Sequence, residues 1–193
     1  MSIFDKLKRG AADAAKNAAQ NAAAAVTSKR ETFTFNALPE SLAELQALPE
    51  ADLDTPFKTA ALAVCALCAY AADKQIGTEM LNWLRGPRPL SGMDISFLND
   101  RFRDGKTYVP FSYFKGANPD NDYTPDEPYS ITIFTNPYSD DNPGYMKVFL
   151  ESGGADNPRE IVLRQRGSDG KWFLWEQFVL VGIRDPKSAN PWA

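Results

Sequence analysis

The chain has 193 residues and no histidine. Imidazole is the commonest general base, the commonest metal ligand and the usual switch near neutral pH. Its absence excludes Ser-His-Asp, Cys-His and His-metal chemistry. Cysteine is nearly absent as well, with Cys65 and Cys68 alone. Two thiols make no disulfide framework, and with no signal-like leader they point to a reducing, cytoplasmic location. Long apolar runs are also missing from the N-terminus. Asp13, Lys16, Asn17, Gln20 and Asn21 interrupt the Ala-rich stretch 11–26, which is too polar for a secretion signal or a bilayer span. The net charge is -4 and no basic stripe dominates, so nucleic acid is not an expected partner. Nucleotide- and metal-binding motifs are lacking, and no cofactor is expected.

What is present suffices for a core. Apolar residues make up 44 % and aromatic residues 12 % of the chain, which supports one folded domain and argues against extended disorder. Charge is unevenly placed. Lys6, Lys8, Arg9, Lys16, Lys29 and Arg30 outnumber Asp5 and Asp13 over residues 1–30, a net of +4 that leaves -8 for residues 31–193. A basic arm on an acidic body suggests an arm with its own task, or one that docks on the body.

Residues 2–27 read as an amphipathic helix with a shallow alanine face carrying Phe4, Leu7, Ala11, Ala14, Ala18, Ala22 and Ala25. Glu31–Phe35 alternates as a short strand. A short helix over 39–48 follows. Asp54, Thr55 and Pro56 then start a helix to about Ala72, apolar nearly all round and so expected to be buried on most sides. Shorter helices are predicted over 78–85 and, from a capping box at Ser91 and Asp94, over 91–103. Beyond Gly105 helical spacing gives way to strands predicted at 109–114, 129–135, 145–151, 160–166, 171–175 and 178–182. Asn-Pro dipeptides punctuate their turns, and Ser168-Asp169-Gly170 marks a hairpin.

The expected fold is therefore α+β: N-terminal helices packed on one face of a C-terminal antiparallel sheet of about five to six strands, preceded by an amphipathic helical arm. The arm occupies residues 1–30 and a single α+β domain residues 31–193. In the 171–175 strand Trp172 and Leu174 point one way, Phe173 and Trp175 the other. Both faces there must be covered: one by helices, the other by a curl of the sheet, the arm, a partner or a ligand cavity.

Several stretches carry a resemblance: TYVPFSYFKG (107–116), SGGADNPR (152–159), GKWFLWEQFVLVGIRDPKSANPWA (170–193) and ETFTFNALPESLAELQALPEADL (31–53). Together they resemble an uncharacterised bacterial domain family of unknown function over about residues 31–193. The resemblance implies that residues 1–30 are a variable extension. It brings no activity, cofactor or catalytic residue.

The candidate chemistry is sparse. Cys65-x-x-Cys68 lies about ten residues inside an apolar helix, away from the N-terminal dipole that would activate a thiol, so both read as core residues. Asp120, Asp122 and Asp126 cluster oxygen ligands that could hold a cation, but without EF-hand spacing. Ser139-Asp140-Asp141-Asn142 is a second acidic turn. Glu176, following the aromatic strand, is the one weak candidate for a catalytic carboxylate. Gly153-Gly154 reads as a plain turn. Tyr113, Tyr123, Tyr129, Tyr138 and Trp192 are candidates for a ligand or partner surface beside Phe111 and Phe114, with core packing as the plainer reading.

Three function readings follow. The first is a cytoplasmic binding or assembly module without catalysis, joined to a protein partner or to itself through residues 1–27. The second is a small-molecule enzyme with a carboxylate acid/base in an α+β cavity. The third is attachment to a membrane surface through the N-terminal helix, weakened by its few large apolar residues.

Overall fold

The computed structural model describes residues 28–189 and Trp192. The predicted helix over 2–27 and the possible self-association through it lie outside the described residues. The elements in chain order among the described residues are β1 (Arg30–Phe35), α1 (Leu42–Ala47), α2 (Pro56–Ala72), α3 (Lys74–Arg85), α4 (Gly92–Arg101), β2 (Tyr129–Phe134), β3 (Tyr145–Leu150), β4 (Arg159–Gln165) and β5 (Trp172–Gln177), with four short 3-10 turns between them and a fifth after β5. The fold is α+β, with helices in the N-terminal half and most of the sheet in the C-terminal half.

Local chemistry sets the helix starts. The Thr55 hydroxyl accepts from the Lys58 N–H and Pro56 opens the first turn of α2. Asp73 accepts from the N–H groups of Gln75 and Ile76 at 2.8 and 3.1 Å, so α3 begins at Lys74, four residues before the sequence reading placed it. Ser91 and Asp94 close a reciprocal capping box at α4.

The sheet is a five-stranded antiparallel meander in the order β1-β2-β3-β4-β5. Its inner face presents Phe33, Phe35, Ile131, Ile133, Val148, Leu150, Ile161, Leu163 and Leu174, all buried. Helix α2 packs on this face and is buried at nearly every position from Pro56 to Tyr70. Each fully buried aliphatic side chain contributes about 1.5–3 kcal/mol, so this layer is the main stabiliser of the domain. Helix α3 crosses α2 at Gly77, where an added Cβ would lie 2.2 Å from the Cα of Tyr70.

Two predicted strands are absent. Residues 109–114 instead contain the 3-10 turn Pro110–Tyr113. Val109 is right-handed helical and Pro110 has no N–H to give to a ladder, so Ser112 and Phe114 donate back to Val109 and Phe111. Residues 178–182 leave the sheet after Phe178, whose N–H donates to Glu160 O. Gly182 turns the chain at φ +66, and the carbonyls of Val181 and Gly182 accept from Arg159 at 2.8 Å. Ahead of β1 the Lys29 N–H donates to the Thr135 hydroxyl, and the Thr135 N–H to Lys29 O.

The sheet has a seam. Strands β2 and β3 are paired only at Ile133–Leu150 and Phe134–Phe149. Toward the start of β2 their place is taken by Phe114, which bridges Ile131, and by Lys115, whose N–H donates to Ser130 O. The β5 edge is closed by other elements. The Trp172 N–H donates to Leu53 O, the Thr59 hydroxyl to Trp172 O, and Arg85 and Arg88 both donate to Trp175 O.

Candidate binding site on the outer face of the sheet

Away from α2 the sheet is not a plain polar surface. On β1 and β2 it carries hydroxyl pairs, Thr32–Thr132 at 2.9 Å and Thr34–Ser130 at 3.2 Å. Next to them Phe134 and Phe149 lie side by side, with the Arg30 guanidinium over Phe134. At the β4–β5 end the face becomes arginine and aromatic.

The β4–β5 register builds that end. Arg164 is opposite Phe173, and Gln165 opposite Trp172. The register then shifts at Val162–Leu163, where Leu163 pairs Leu174 but Val162 pairs Glu176, leaving Trp175 as the extra residue. Such a bulge re-aims the side chain it carries. Trp175 meets Tyr145 of β3 edge-on at 5.5 Å between centroids. The Arg88 guanidinium lies 4.1 Å from its ring centroid and that of Arg164 lies 4.8 Å away. Arg166 covers Phe173 at 4.5 Å. The second face of β5, which the sequence required to be covered, is thus half-buried beneath guanidinium groups.

Trp175 stands where three depressions meet. One of about 460 Å³ lies among Arg85, Arg88, Arg164, Arg166, Phe173 and Trp175. A second of about 280 Å³ runs between α3, α4 and the end of β5, past Asp94, Phe97 and Phe178. A third of about 480 Å³ holds Tyr145, Lys147, Glu160 and Val162.

Arg85 anchors the region. Its side chain is 6 % exposed. It reaches Asp94 at 3.4 Å and donates to the carbonyls of Arg88 at 3.0 Å and Trp175 at 3.4 Å. Burial lowers its pKa, and Asp94 opposes that shift. Burial would raise the Asp94 carboxyl, but the Ser91 N–H and hydroxyl and the Arg85 and Arg88 charges outweigh it and hold Asp94 below its ordinary 3.8. A depressed carboxyl stabilises the fold above its unfolded pKa, and the stabilisation is lost as pH falls through the folded value. The urea midpoint of Asp94→Asn is therefore expected to lie below wild type at pH 7, with the gap narrowing as pH falls below 3.8. Asp52, Asp156 and Asp169 are depressed in the same direction, so the difference between the two proteins isolates Asp94.

The sequence candidates fall elsewhere. Glu176 is exposed and lines two of the three depressions, those of about 280 and 480 Å³. Tyr113 and Tyr123 do not line a surface: they are buried, and their hydroxyls donate to the carbonyls of Val179 and Arg184 at 2.5 and 2.7 Å. Both phenols are pushed up by burial, and Tyr123 stacks on Tyr108. Tyr129 is half-buried, packed edge-on against Phe114 and tied to Glu127. Tyr138 and Trp192 are exposed. The five therefore do not make one surface. Asp120 pairs with Lys187, Asp122 accepts from Ser188 at 2.6 Å, and the Asp126 carboxylate packs at Gly116. Among the described residues no group of three or more acidic or cysteine side chains is placed to hold a metal ion. Cys65 and Cys68 are free, fully buried and raised in pKa by desolvation, which keeps them protonated and inert as nucleophiles. Among the described residues no helix is long and apolar enough to cross a membrane.

Sequence reasoning missed Arg85, Arg88, Arg164 and Arg166. The signal was present: the Ser168-Asp169-Gly170 hairpin fixes the register that sets Arg164 opposite Phe173, in the strand already known to need a cover.

A sequence model of the family described as a domain of unknown function (DUF6935) matches residues 37–187. No curated protein and no solved structure matches the chain.

Proposed function

We propose that this chain, which belongs to the DUF6935 family of domains of unknown function, is a binding module without catalysis whose ligand surface is the outer face of the sheet around Trp175. One observation carries the reading: a bulge presents a half-exposed tryptophan at the meeting point of three depressions, flanked by arginines. Aromatic and arginine side chains concentrate binding energy, because they bury large area and keep directional polar groups. The exposure of Glu176 favours binding over an enclosed carboxylate catalyst. Free, buried thiols fit a bacterial cytoplasm, where they stay reduced. A protein partner, rather than nucleic acid, is the macromolecule that an acidic body would accept beside this ligand.

Hydroxyl-radical footprinting tests the reading. The intact protein is oxidised in buffer, in host lysate, and in the small-molecule filtrate of that lysate. Protection of Tyr145, Phe149 and Trp175 relative to Tyr138 is expected in lysate. Oxidation of Tyr145, Phe149 and Trp175 that stays unchanged relative to Tyr138 in every medium would overturn the proposal.

A further inference from the structure

We propose that the depression of about 460 Å³ beside Trp175 is a receptor for a small organic oxyanion, a metabolite bearing phosphate or carboxylate groups, held between Arg88 and Arg164. The inference rests on the binding reading and gives it a ligand class. Four arginines line this one depression, and no carboxylate does. Residues 31–193 carry a net charge of -8, so the concentration is local and against the average of the body. Two of the four are already committed. Arg85 is held by Asp94, and Arg166 pairs with Asp169. Among the described residues no carboxylate lies within 4.0 Å of Arg88 or Arg164. The Asp94 carboxylate offsets part of the Arg88 charge, Arg164 has no carboxylate within 4.0 Å among the described residues, and a bound anion relieves the remaining repulsion between the converging cations.

Geometry specifies the kind of anion. Both uncommitted guanidiniums lie close to the Trp175 ring, and Arg164 also lies 5.2 Å from the Tyr145 centroid. Arg88 gives one N–H to Trp175 O at 3.4 Å, and Arg164, with no side-chain hydrogen bond among the described residues, keeps its N–H edge free. That edge is a planar fork matching the two oxygens of a carboxylate or phosphate. Both side chains are exposed, and their contacts with the Trp175 ring limit the ordering that binding costs. The volume falls in the range of small-molecule sites. A nucleic-acid strand would instead meet the acidic remainder of the body, so a single compact anion fits better.

The test uses the full chain with three probes: pyrophosphate, AMP and citrate. Calorimetry and tryptophan emission report binding, and the first two probes against the third separate phosphoryl from carboxylate recognition. At least one probe is expected to saturate below millimolar concentration. Its affinity should fall by at least about tenfold in Arg88→Gln/Arg164→Gln, because charge-assisted hydrogen bonds are lost. Arg164→Lys, which keeps the charge but not the fork, should lose an intermediate amount. Arg30→Gln, a guanidinium over Phe134 on the same face, should lose nothing. Circular dichroism checks each fold, and should the double variant unfold, Arg164→Lys against Arg30→Gln decides the matter. No saturation by any probe, or equal affinity in wild type and the arginine variants, would overturn the proposal. So would a short single-stranded oligonucleotide that binds through these arginines when AMP does not. If the probes fail while lysate still protects Trp175, the ligand class falls and the binding module stands.

Discussion

Gly77→Ala is expected to destabilise the domain by about 3 kcal/mol, the upper end of the usual cost of overpacking. For a chain of this size that lowers the thermal midpoint by about 6–12 °C. Intrinsic propensity argues the other way, since alanine in a helix interior is favoured over glycine by about 1 kcal/mol. Space decides the sign. The new methyl carbon would lie 2.2 Å from the Cα, 2.3 Å from the Cβ and 2.4 Å from the N of Tyr70. Backbone atoms have no rotamer to change, so α2 and α3 must separate. Helix α2 is buried on nearly every side, and its displacement would loosen its packing on the sheet as well. A melting curve unchanged or raised in Gly77→Ala would show that the two helices do not cross this closely.

Arg85→Ala is expected to cost about 3 kcal/mol, at the low end for removing one partner of a buried ion pair because Asp94 is 33 % exposed. The loss is not confined to that pair. The carbonyl of Arg88 loses its donor, and that of Trp175 keeps only Arg88, at 3.4 Å. The 85–88 turn and the bulged edge of β5 are joined through these bonds. Oxyanion affinity should therefore fall along with the urea midpoint, although Arg85 itself is committed to Asp94. Arg85→Lys should rescue charge but little of either property, because an ammonium cannot span three acceptors in one plane. An Arg85→Ala protein as stable as wild type would show that α4 and the sheet hold the turn without it.

Much of the fold was legible because local rules and tertiary demands agreed. Thr55-Pro56 started a helix whose unbroken apolar composition required burial on all sides, and α2 is that helix. Ser91 and Asp94 formed the expected box. The failures have physical causes. At 109–114 the β-rich composition of Val, Phe and Tyr was outweighed by a proline that takes a donor from the ladder, and Val109 is helical against the bias that a following proline imposes. At 178–182 apolar residues that looked like a strand are buried by a turn instead, with Val179 and Leu180 in the core. The aromatic residues misled in a similar way. Tyr113 and Tyr123 are anchors whose hydroxyls satisfy distant carbonyls, and nothing in their spacing separates an anchor from a ligand contact. For the site, the sequence showed a two-faced aromatic strand and hence a missing cover. It did not show the cover, because Arg88 comes from the turn after α3, 87 residues away from Trp175.

The seam between β2 and β3 governs how the molecule breathes. With two register pairs across it, against six between β1 and β2 and six between β3 and β4, the β1–β2 ribbon is the part of the sheet most lightly tied to its neighbour. Deuterium should enter the Lys115 amide, which donates across the seam to Ser130 O, through detachment of that ribbon as a unit. The amides of β3 and β4 should wait for global unfolding, so the outer-face platform around Trp175 persists while the opposite margin opens and recloses.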